Sequence, residues 1–244
     1  SSDVCSSDLY NRMKQISLIL LSVLILSNPL FAQHKPFKFG FKAAGNIGWL
    51  GSINEDYKNE EVNLGGAWGF VADFFIMENY SFTTGFDVLY LNGTIQYPYL
   101  YSNQENFNTE VGTLERNYRT KYVKIPLIFT METNPIKKIR YYGQIGFGFS
   151  ILLTAKADDL FMGNTENTVI SEDKNIYSEV YPTRESLILG AGIEVPLVKS
   201  MVARFGLLFD NAFINILKGN NTVDSSIKHN ARNNFIELNA TVLF

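Results

Sequence analysis

Eight segments of this chain alternate between apolar and polar residues, and this period of two limits the possible folds more than any other feature. Each segment is rich in aromatic and β-branched residues, which is typical of a β-strand with two unlike faces. The segments span approximately 37–49, 64–76, 80–90, 122–131, 139–153, 186–197, 200–213 and 234–244. The pattern predicts an all-β fold of eight strands.

The two faces of the predicted strands differ in charge. One face is apolar or aromatic throughout and carries no charged residue, whereas the other holds small, polar and charged residues. The charged face contains five cations and five anions: Lys38, Lys42, Asp73, Asp87, Lys124, Arg140, Glu194, Arg204, Asp210 and Glu237. Because isolated buried charges are costly, equal numbers of both signs favour a paired network inside a narrow lumen, where it would stabilise the structure.

The connections between the predicted strands alternate in length. Long polar loops at about 50–63, 91–121, 154–185 and 214–233 are separated by tight turns at "MEN", "ETNPIKK" and "VKS". Aromatic residues near strand ends match the girdles found at membrane interfaces, namely Phe37, Trp49, Tyr80, Tyr90 and Tyr141. We therefore predict an eight-stranded antiparallel up-and-down transmembrane β-barrel with its apolar face towards lipid.

Two other folds share part of this pattern. A soluble ligand-binding barrel of the lipocalin type also has one apolar and one polar face, and its charged face would be the solvated outside. A β-sandwich would need inner and outer strands that differ more in apolar content, and the eight segments are too uniform for that. The soluble barrel is kept as an alternative.

The beginning of the chain predicts export. Residues 13–32 have the pattern of a secretory signal peptide, with Met13 and Lys14 before an apolar run and a cut after Ala32. Leu30 lies where a small residue is usual, so the cleavage site is less well defined than the signal. Residues 1–12 precede a natural start at Met13 and resemble a translated cloning sequence. Residues 33–244 are predicted to form the barrel domain, located in the bacterial outer membrane.

Several functions lack the residues that they require. Cys5 is the only cysteine and precedes the signal, so the mature chain is predicted to have no disulfide or thiolate metal site. No apolar run after the signal approaches the roughly 18 residues of a membrane-spanning helix. A net charge of −3 provides no basic field for nucleic acid. We expect a monomer without cofactor, metal or nucleic-acid partner.

The predicted loops contain two candidate sites. The segment "VDSSIKHN" brings Asp224, Ser225, Ser226 and His229 together, but short polar loops produce such groups by chance, so we predict no enzymatic activity. An acidic loop contains Asp158, Asp159, Glu172, Asp173 and Glu179. Its spacing matches no calcium-loop template, so a solvated surface is expected.

A tyrosine-rich stretch, "YPYLYSN", lies in the second predicted loop. Tyr97, Tyr99 and Tyr101 could contact a partner or a glycan. They could equally pack on the barrel rim or insert among lipopolysaccharide sugars.

The stretch "YVKIPLIF" resembles the porin-type outer-membrane β-barrel family that includes the PorT-like proteins of Bacteroidetes. Members commonly carry Tyr-x-x-Ile-Pro-Leu on a middle strand and end their last strand in Phe. The matching residues are Tyr122, Ile125, Pro126, Leu127 and Phe244. The resemblance implies the fold and the outer-membrane location, and it implies that Phe244 forms part of the signal for the outer-membrane insertion machinery. By parity the Pro126 ring faces the lumen, where we expect a bulge.

A barrel of about eight strands has an interior just filled by side chains. We therefore expect a non-enzymatic structural or interaction role through four long extracellular loops. The expected partners are the lipid bilayer, lipopolysaccharide, the insertion machinery and an unknown extracellular ligand. One alternative, implied by the resemblance, is an accessory role in protein secretion across the outer membrane. Others are a small pore and an enzyme with its site at the barrel rim.

Overall fold

The computed structural model describes residues 36–102, 109–164, 167–198 and 200–244. All the strands described below belong to one compact unit, Phe37–Phe244. The predicted signal peptide and Cys5 lie outside the described residues. The prediction of an exported chain with a cleaved signal therefore stays a prediction.

Eight strands pair into a closed ring, and two further strands lie outside it. The ring runs in chain order and every neighbouring pair is antiparallel, with the last strand closing on the first. Its strands are β1 (Phe37–Gly51), β3 (Asn63–Met77), β4 (Tyr80–Ser102), β5 (Thr109–Glu132), β6 (Arg140–Met162), β8 (Thr183–Pro196), β9 (Val202–Ala212) and β10 (Arg232–Leu243). The predicted all-β ring of eight antiparallel strands is confirmed.

The outside of the ring is apolar, as the alternation predicts. Phe41, Leu64 and Trp68 are 64%, 76% and 55% exposed, although they are large apolar side chains within strands. The charged positions of the same strands point inwards: Asp73 is buried, and Lys38 and Lys42 are partly buried. The assignment of the apolar face to the outside of the barrel is therefore confirmed.

The second and third predicted loops are largely strand, so their assignment as loops is wrong. β4 continues twelve residues beyond Tyr90 to Ser102, and β5 and β6 pair with each other up to Thr113 and Met162. The short strands β2 (Lys58–Glu61) and β7 (Asn167–Asn175) widen this extension by pairing with β4 and β6. A short 3-10 helix, η1 (Tyr177–Glu179), follows β7.

We use the name cap for the extension on the long-connection side of the ring. It comprises residues 50–61 with β2, residues 91–102 of β4, 109–120 of β5 and 154–162 of β6, β7, residues 176–182 with η1, and the connection 213–231. Its inner side is apolar, as in a water-soluble protein, whereas its outer side carries polar residues such as Arg119 and Lys156. The apolar core of the cap is formed by Leu50, Tyr57, Leu91, Ile95, Tyr97, Leu114, Tyr118, Phe161, Ile176, Val180, Ile216 and Leu217.

A β-bulge lies where β6 leaves the ring and enters the cap. Lys121 pairs with Thr154 and Tyr122 pairs with Leu152, so Leu153 is an extra residue in β6. Leu153 and Thr154 both face outwards, and the inward positions of β6 change from even to odd numbers. A bulge bends and twists its strand, so the cap begins with a change of strand direction.

Pro126 faces the lumen as predicted, but the expected bulge is absent. The β4–β5 ladder stops at Thr83–Ile128 and resumes at Asp87–Lys124 with the same number of residues on both strands. The missing N–H of proline explains such a gap without any inserted residue. Gly85 lies opposite Pro126 with φ of +148°, and a Cβ there would lie 1.9 Å from the carbonyl oxygen of Phe70.

The other end of the ring carries short turns. They join β3 to β4, β5 to β6 and β8 to β9, and the first and last described strands also reach this end, where the Phe244 N–H donates to the Phe39 carbonyl at 2.8 Å. Within the described residues, no helix has the length and apolar character needed to cross a bilayer.

Candidate functional site: the lumen and the cap

Twelve charged side chains lie inside the ring. They are the ten predicted residues together with Glu132 and Arg184, which gives six cations and six anions. The ion pairs divide them into two clusters at different heights along the barrel. Each cluster contains three cations and three anions, so each is electrically neutral.

The turn-side cluster is centred on Arg204. Its guanidinium nitrogens lie 2.9 Å from Asp73, 2.9 Å from Glu132 and 3.0 Å from Glu194. Lys38 lies 3.2 Å from Glu194 and Arg140 lies 3.4 Å from Glu132. One buried cation therefore joins carboxylates from three strands, β3, β5 and β8.

The cap-side cluster is a chain of alternating charges. Lys42 lies 3.1 Å from Glu237 and 2.6 Å from Asp87. Lys124 continues the chain, 3.8 Å from Asp87 and 3.4 Å from Asp210. Arg184 ends it, 2.6 Å from Asp210. The chain crosses the barrel and links six different strands through side chains alone.

An apolar side chain separates the cap-side cluster from the core of the cap. The ring of Phe235 is fully buried and lies 5.2 Å from the Lys124 ammonium and 5.4 Å from the Arg184 guanidinium. Cations over an aromatic face are stabilised by its quadrupole. Phe235 thus contacts the charged lumen while it packs with the buried residues of the cap core.

A small cavity of about 40 Å³ lies between the two clusters. Lys42 and Lys124 line it from one cluster and Arg204 from the other, together with Tyr142 and Gln144. This volume has room for a few water molecules. It is too small for a solute to pass, so the lumen between the clusters is filled by protein side chains.

Two members of these clusters were missed from the sequence. Glu132 was assigned to the turn "ETNPIKK" and Arg184 to a loop. Each lies one alternation step beyond a predicted strand, since Glu132 follows inward Thr130 by two residues and Arg184 precedes inward Ser186 by two. Extending the alternation by one step at each strand end would have found both.

The cap contains its own buried ion pair. Arg116 donates to both oxygens of Asp159, at 2.5 and 2.7 Å, and to Glu179 at 2.7 Å. Burial opposes the charge of Arg116, but the bonds to Asp159 outweigh it and raise the pKa of the guanidinium. Burial raises the pKa of neighbouring Tyr118 to about 12. In this part of the cap, a buried salt bridge therefore lies among residues that are otherwise apolar.

Two connections of the cap meet strand β4 at an aromatic joint, defined here as Tyr57, Tyr97 and His229. The Tyr57 and Tyr97 rings are stacked with centroids 5.0 Å apart, and His229 meets Tyr97 edge-on at 5.2 Å. The Tyr57 hydroxyl lies 2.9 Å from His229 Nδ1 and accepts a hydrogen bond from Asn221. Burial and the positive charge of Arg116 lower the pKa of His229, so the neutral ring can accept a hydrogen bond from the Tyr57 hydroxyl at Nδ1.

The hydroxyls of the candidate catalytic group are not directed at its histidine. Ser226 donates its hydroxyl to Asp224 at 2.6 Å, and its N–H donates to the same oxygen at 2.9 Å. His229 is bonded to Tyr57 instead. Among the described residues, no hydrogen bond joins His229 to a nucleophile or to Asp224, so a Ser-His-Asp arrangement is not assembled.

The acidic segment is paired with cations and is not simply solvated as expected. Asp159 and Glu179 bind Arg116, as described above. Asp158 and Asp173 each lie 2.9 Å from Arg119, and Asp173 also binds Lys156. In the part of the chain that the structure describes, no group of three or more metal-binding side chains is present.

The three tyrosines of "YPYLYSN" pack within the cap. Tyr97 belongs to the aromatic joint, and the rings of Tyr99 and Tyr101 lie 6.4 and 4.9 Å from Phe161. They support the cap core from β4. Of the arrangements considered from the sequence, packing within the protein is the one observed.

The residues of the family-like motif occupy both faces of β5. Tyr122 is fully buried and Pro126 lines the lumen, whereas Ile125 and Leu127 are on the apolar exterior. Phe244 lies at the other end of the chain, where its ring is 5.9 Å from that of Phe39.

A closed antiparallel ring with an apolar exterior and a charged interior defines the class of membrane β-barrels. Residues 31–218 match the family of the outer membrane protein beta-barrel domain, and the chain belongs to this family. The outer-membrane barrel implied by the sequence resemblance, and with it the bacterial outer-membrane location, is thereby confirmed.

Solved structures with similar folds include three outer-membrane proteins. Neisserial surface protein A is 11% identical, with 86% of this chain and 96% of that chain covered and a TM-score of 0.42. OprG from Pseudomonas aeruginosa is 10% identical, with 86% and 97% covered and a TM-score of 0.43. Ail, the attachment invasion locus protein of Yersinia pestis, is 11% identical, with 85% and 98% covered and a TM-score of 0.34. The search of curated proteins gave no match.

Proposed function

We propose that the protein spans the outer membrane as a monomeric, non-enzymatic barrel and presents the cap to the cell exterior as a surface for interaction. The short turns then face the periplasm. The observation that carries this proposal is the reversal of polarity between the ring and the cap on the same continuous strands. The unknown ligand expected from the sequence would meet the cap as one folded unit, and not four separate loops.

The outward-facing residues change from apolar to polar within one pair of residues along the strands. On the turn side of this level, Val123 and Leu153 face outwards among apolar neighbours. At it, Tyr90 pairs with Lys121, whose ammonium lies 5.2 Å from the Tyr90 ring. On the cap side of this level, Arg119 faces outwards. Amphipathic tyrosines and lysines are typical of the membrane–water interface, so this row marks the outer boundary of the hydrocarbon.

The exterior of the ring also argues against a soluble lipocalin-like barrel. A water-soluble protein rarely exposes a contiguous apolar patch larger than a few hundred Å². Here the apolar belt includes Phe41, Leu64 and Trp68 and continues around all eight strands. A soluble barrel would instead turn this face inwards, and its lumen would lack the charges observed.

Labelling of single cysteines in intact cells tests the orientation. Ser225→Cys places a thiol in the cap and Thr133→Cys places one in a short turn, with Cys5→Ser in both variants. A membrane-impermeant maleimide should label the cap variant in intact cells and the turn variant only after lysis. Equal labelling of both, or the reverse pattern, would refute the orientation.

Copurification tests the interaction role. Outer membranes are solubilised in detergent and the tagged protein is recovered with wild-type or charge-reversed cap residues, for example Glu115→Lys with Glu172→Lys. A bound component should be recovered with the wild type and lost with the cap variant, and retained when the turn residue Thr133 is replaced by serine. The same components from all three proteins would contradict a role for the cap surface.

A role in protein secretion has weaker support. It rests on the motif Tyr122, Ile125, Pro126 and Leu127, and each of these residues has a packing role in the ring that accounts for its presence. A proposed role of Phe244 in recognition by the insertion machinery has better support, because the residue is exposed at the strand end that must close the ring.

A further inference from the structure

The turn between β5 and β6 has an unusual backbone for its sequence. Ile136 and Ile139 exchange backbone hydrogen bonds of 2.8 and 3.0 Å across the two residues Lys137 and Lys138. Both lysines have positive φ, 51° and 74°. This is the geometry of a type I′ hairpin turn, which strongly prefers Asn-Gly because residues with a Cβ are disfavoured in the left-handed region.

The backbone hydrogen bonds of Ile136 and Ile139 close the turn, but the two lysine side chains make no hydrogen bond or ion pair among the described residues that would favour lysine at these positions. Both lysine side chains are exposed, and neither ammonium has an ion-pair partner among the residues that the structure describes. Disfavoured backbone conformations concentrate at functional positions, where selection retains them for a reason other than stability. Two consecutive lysines at this turn therefore point to a ligand outside the chain.

The turn is held rigidly in place. Asn134 accepts a hydrogen bond of 2.9 Å from Asn79 of the neighbouring turn. Thr133 and Tyr141 exchange bonds of 2.8 and 3.1 Å at its base. A preorganised site loses little conformational entropy when it binds. The two ammonium groups thus project from a fixed base.

The turn lies beside the apolar belt. It follows the end of β5, whose last outward-facing residue is Met131, and it precedes Arg140 and outward-facing Tyr141, which is 48% exposed. Met131 pairs with Tyr80, a second exposed tyrosine at this end. Ile136 is 56% exposed next to the two lysines. Tyrosines at this level mark the second membrane interface, so the ammonium groups lie at the depth of lipid headgroups.

We propose that Lys137 and Lys138 bind the phosphate headgroups of anionic phospholipids in the periplasmic leaflet of the outer membrane. The inference rests on the proposed orientation of the barrel. Two unpaired ammonium groups complement a phosphate diester, and exposed Ile136 and Tyr141 complement the glycerol and upper acyl region. A soluble anion would gain nothing from these apolar neighbours.

Native mass spectrometry of the detergent-solubilised protein tests the proposal. Wild-type protein is mixed with equal amounts of phosphatidylglycerol and phosphatidylcholine, and the lipids that it retains are compared. We expect a preference for phosphatidylglycerol of roughly ten- to thirtyfold, since the two lysines near an anionic surface together contribute attraction of this size. The variant Lys137→Asn with Lys138→Gly should lose the preference.

The same variant separates function from folding. It replaces the lysines with the residues that a type I′ turn prefers, so its urea unfolding midpoint should equal or exceed that of wild type. The control Lys137→Arg with Lys138→Arg keeps both charges and should keep the lipid preference. A second control, Lys156→Asn, removes a lysine from the cap and should leave the preference unchanged.

Each outcome has one interpretation. Equal retention of both lipids by wild type, or an undiminished preference in the Asn-Gly variant, would overturn the proposal. Displacement of the lipid by inorganic phosphate at the same concentration would assign the turn to a soluble anion instead. If the cysteine labelling described above gave the reverse pattern while wild-type protein still preferred phosphatidylglycerol, the proposed orientation would be wrong and the lipid preference of the turn would stand.

Discussion

At the scale of single residues, Arg204 illustrates how the lumen is held together. It is 3% exposed and binds three carboxylates that would otherwise be buried close together without compensation. A buried pair is weak evidence of net stability, but removal of one partner leaves an uncompensated charge. The structural importance of Arg204 therefore lies in the carboxylates that it neutralises.

Replacement of Arg204 by methionine should destabilise the folded barrel by about 3–5 kcal/mol, the cost of breaking a buried charge network. Urea unfolding in detergent micelles measures the change. Arg119→Met is the matched control, because its ion pairs are exposed and should contribute about 1 kcal/mol or less. Equal losses in the two variants would contradict a structural role for the lumen network.

Gly85 and Gly143 provide a second substitution and its matched control for a measurement of stability. A Cβ at Gly85 would lie 1.9 Å from the Phe70 oxygen, whereas one at Gly143 would meet nothing within 4 Å. Gly85→Ala should therefore destabilise the folded barrel by about 1–3 kcal/mol, and Gly143→Ala should destabilise it by roughly 0.5 kcal/mol or less. The same unfolding assay distinguishes them, and similar midpoints would show that the ladder gap opposite Pro126 tolerates a side chain.

At the scale of elements, the aromatic joint makes the cap sensitive to acid. Burial and the charge of Arg116 lower the pKa of His229 below its ordinary value of 6.5, while nearby Glu179 acts in the opposite direction. The unfolded imidazole therefore takes up a proton first as pH falls. The stability contributed by the neutral ring is complete above pH 6.5 and decreases as pH falls through 6.5 towards the lower pKa of the folded state.

Limited proteolysis of the connection 213–231 measures this effect between about pH 7.5 and 5.5, a range above the ordinary pKa of carboxylates. Cleavage should accelerate towards the acid end in wild type. His229→Gln keeps an acceptor for Tyr57 but cannot titrate, so its cleavage rate should be constant over this range. An identical pH profile in both proteins would mean that His229 does not control the joint.

The last strand provides a test of assembly. Deletion of Phe244, or addition of a short charged tail after it, should reduce the folded fraction in the outer membrane several-fold, because the strand end that closes on β1 would lose its recognition feature. The heat-dependent shift in gel mobility measures this fraction. The same charged tail inserted at Ser225 is the control and should have little effect, and normal assembly after both changes at Phe244 would refute the proposed signal.

At the scale of the whole molecule, the filled lumen predicts that the barrel does not conduct. The two neutral clusters and Phe235 occupy successive levels of the interior, and the cavity between the clusters is only about 40 Å³. Wild-type protein in planar bilayers should therefore give no unitary conductance steps. Reproducible steps in salt would contradict the filled interior and favour the small-pore alternative.

The sequence was sufficient to predict the ring because lipid imposes one rule on every strand. An outward residue such as Phe41 must be apolar, so the inward position of Lys42 follows directly from parity. Glu132 and Arg184 were missed only because the predicted strands stopped one step short. For the ring, the prediction failed at the boundaries and not in the pattern.

The cap could not be predicted in the same way. Above Tyr90 the alternation continues, but Leu91 and Ile95 now face inwards and polar residues face water, and Gly93 and Pro98 made the stretch resemble a loop. The aromatic joint joins Tyr57 and Tyr97 to His229 across more than 130 residues of sequence. Such contacts depend on closure of the ring, which local patterns do not specify.

The reversal of polarity along β4, β5 and β6 has a consequence for how the protein leaves the membrane. In the proposed orientation, the hairpins could slide back towards the periplasm only if the core of the cap unfolded and Arg119 and Lys156 then crossed the hydrocarbon. Each step is unfavourable by itself. The folded cap therefore opposes withdrawal of the inserted barrel from the membrane. The free energy for this comes from folding of the chain alone.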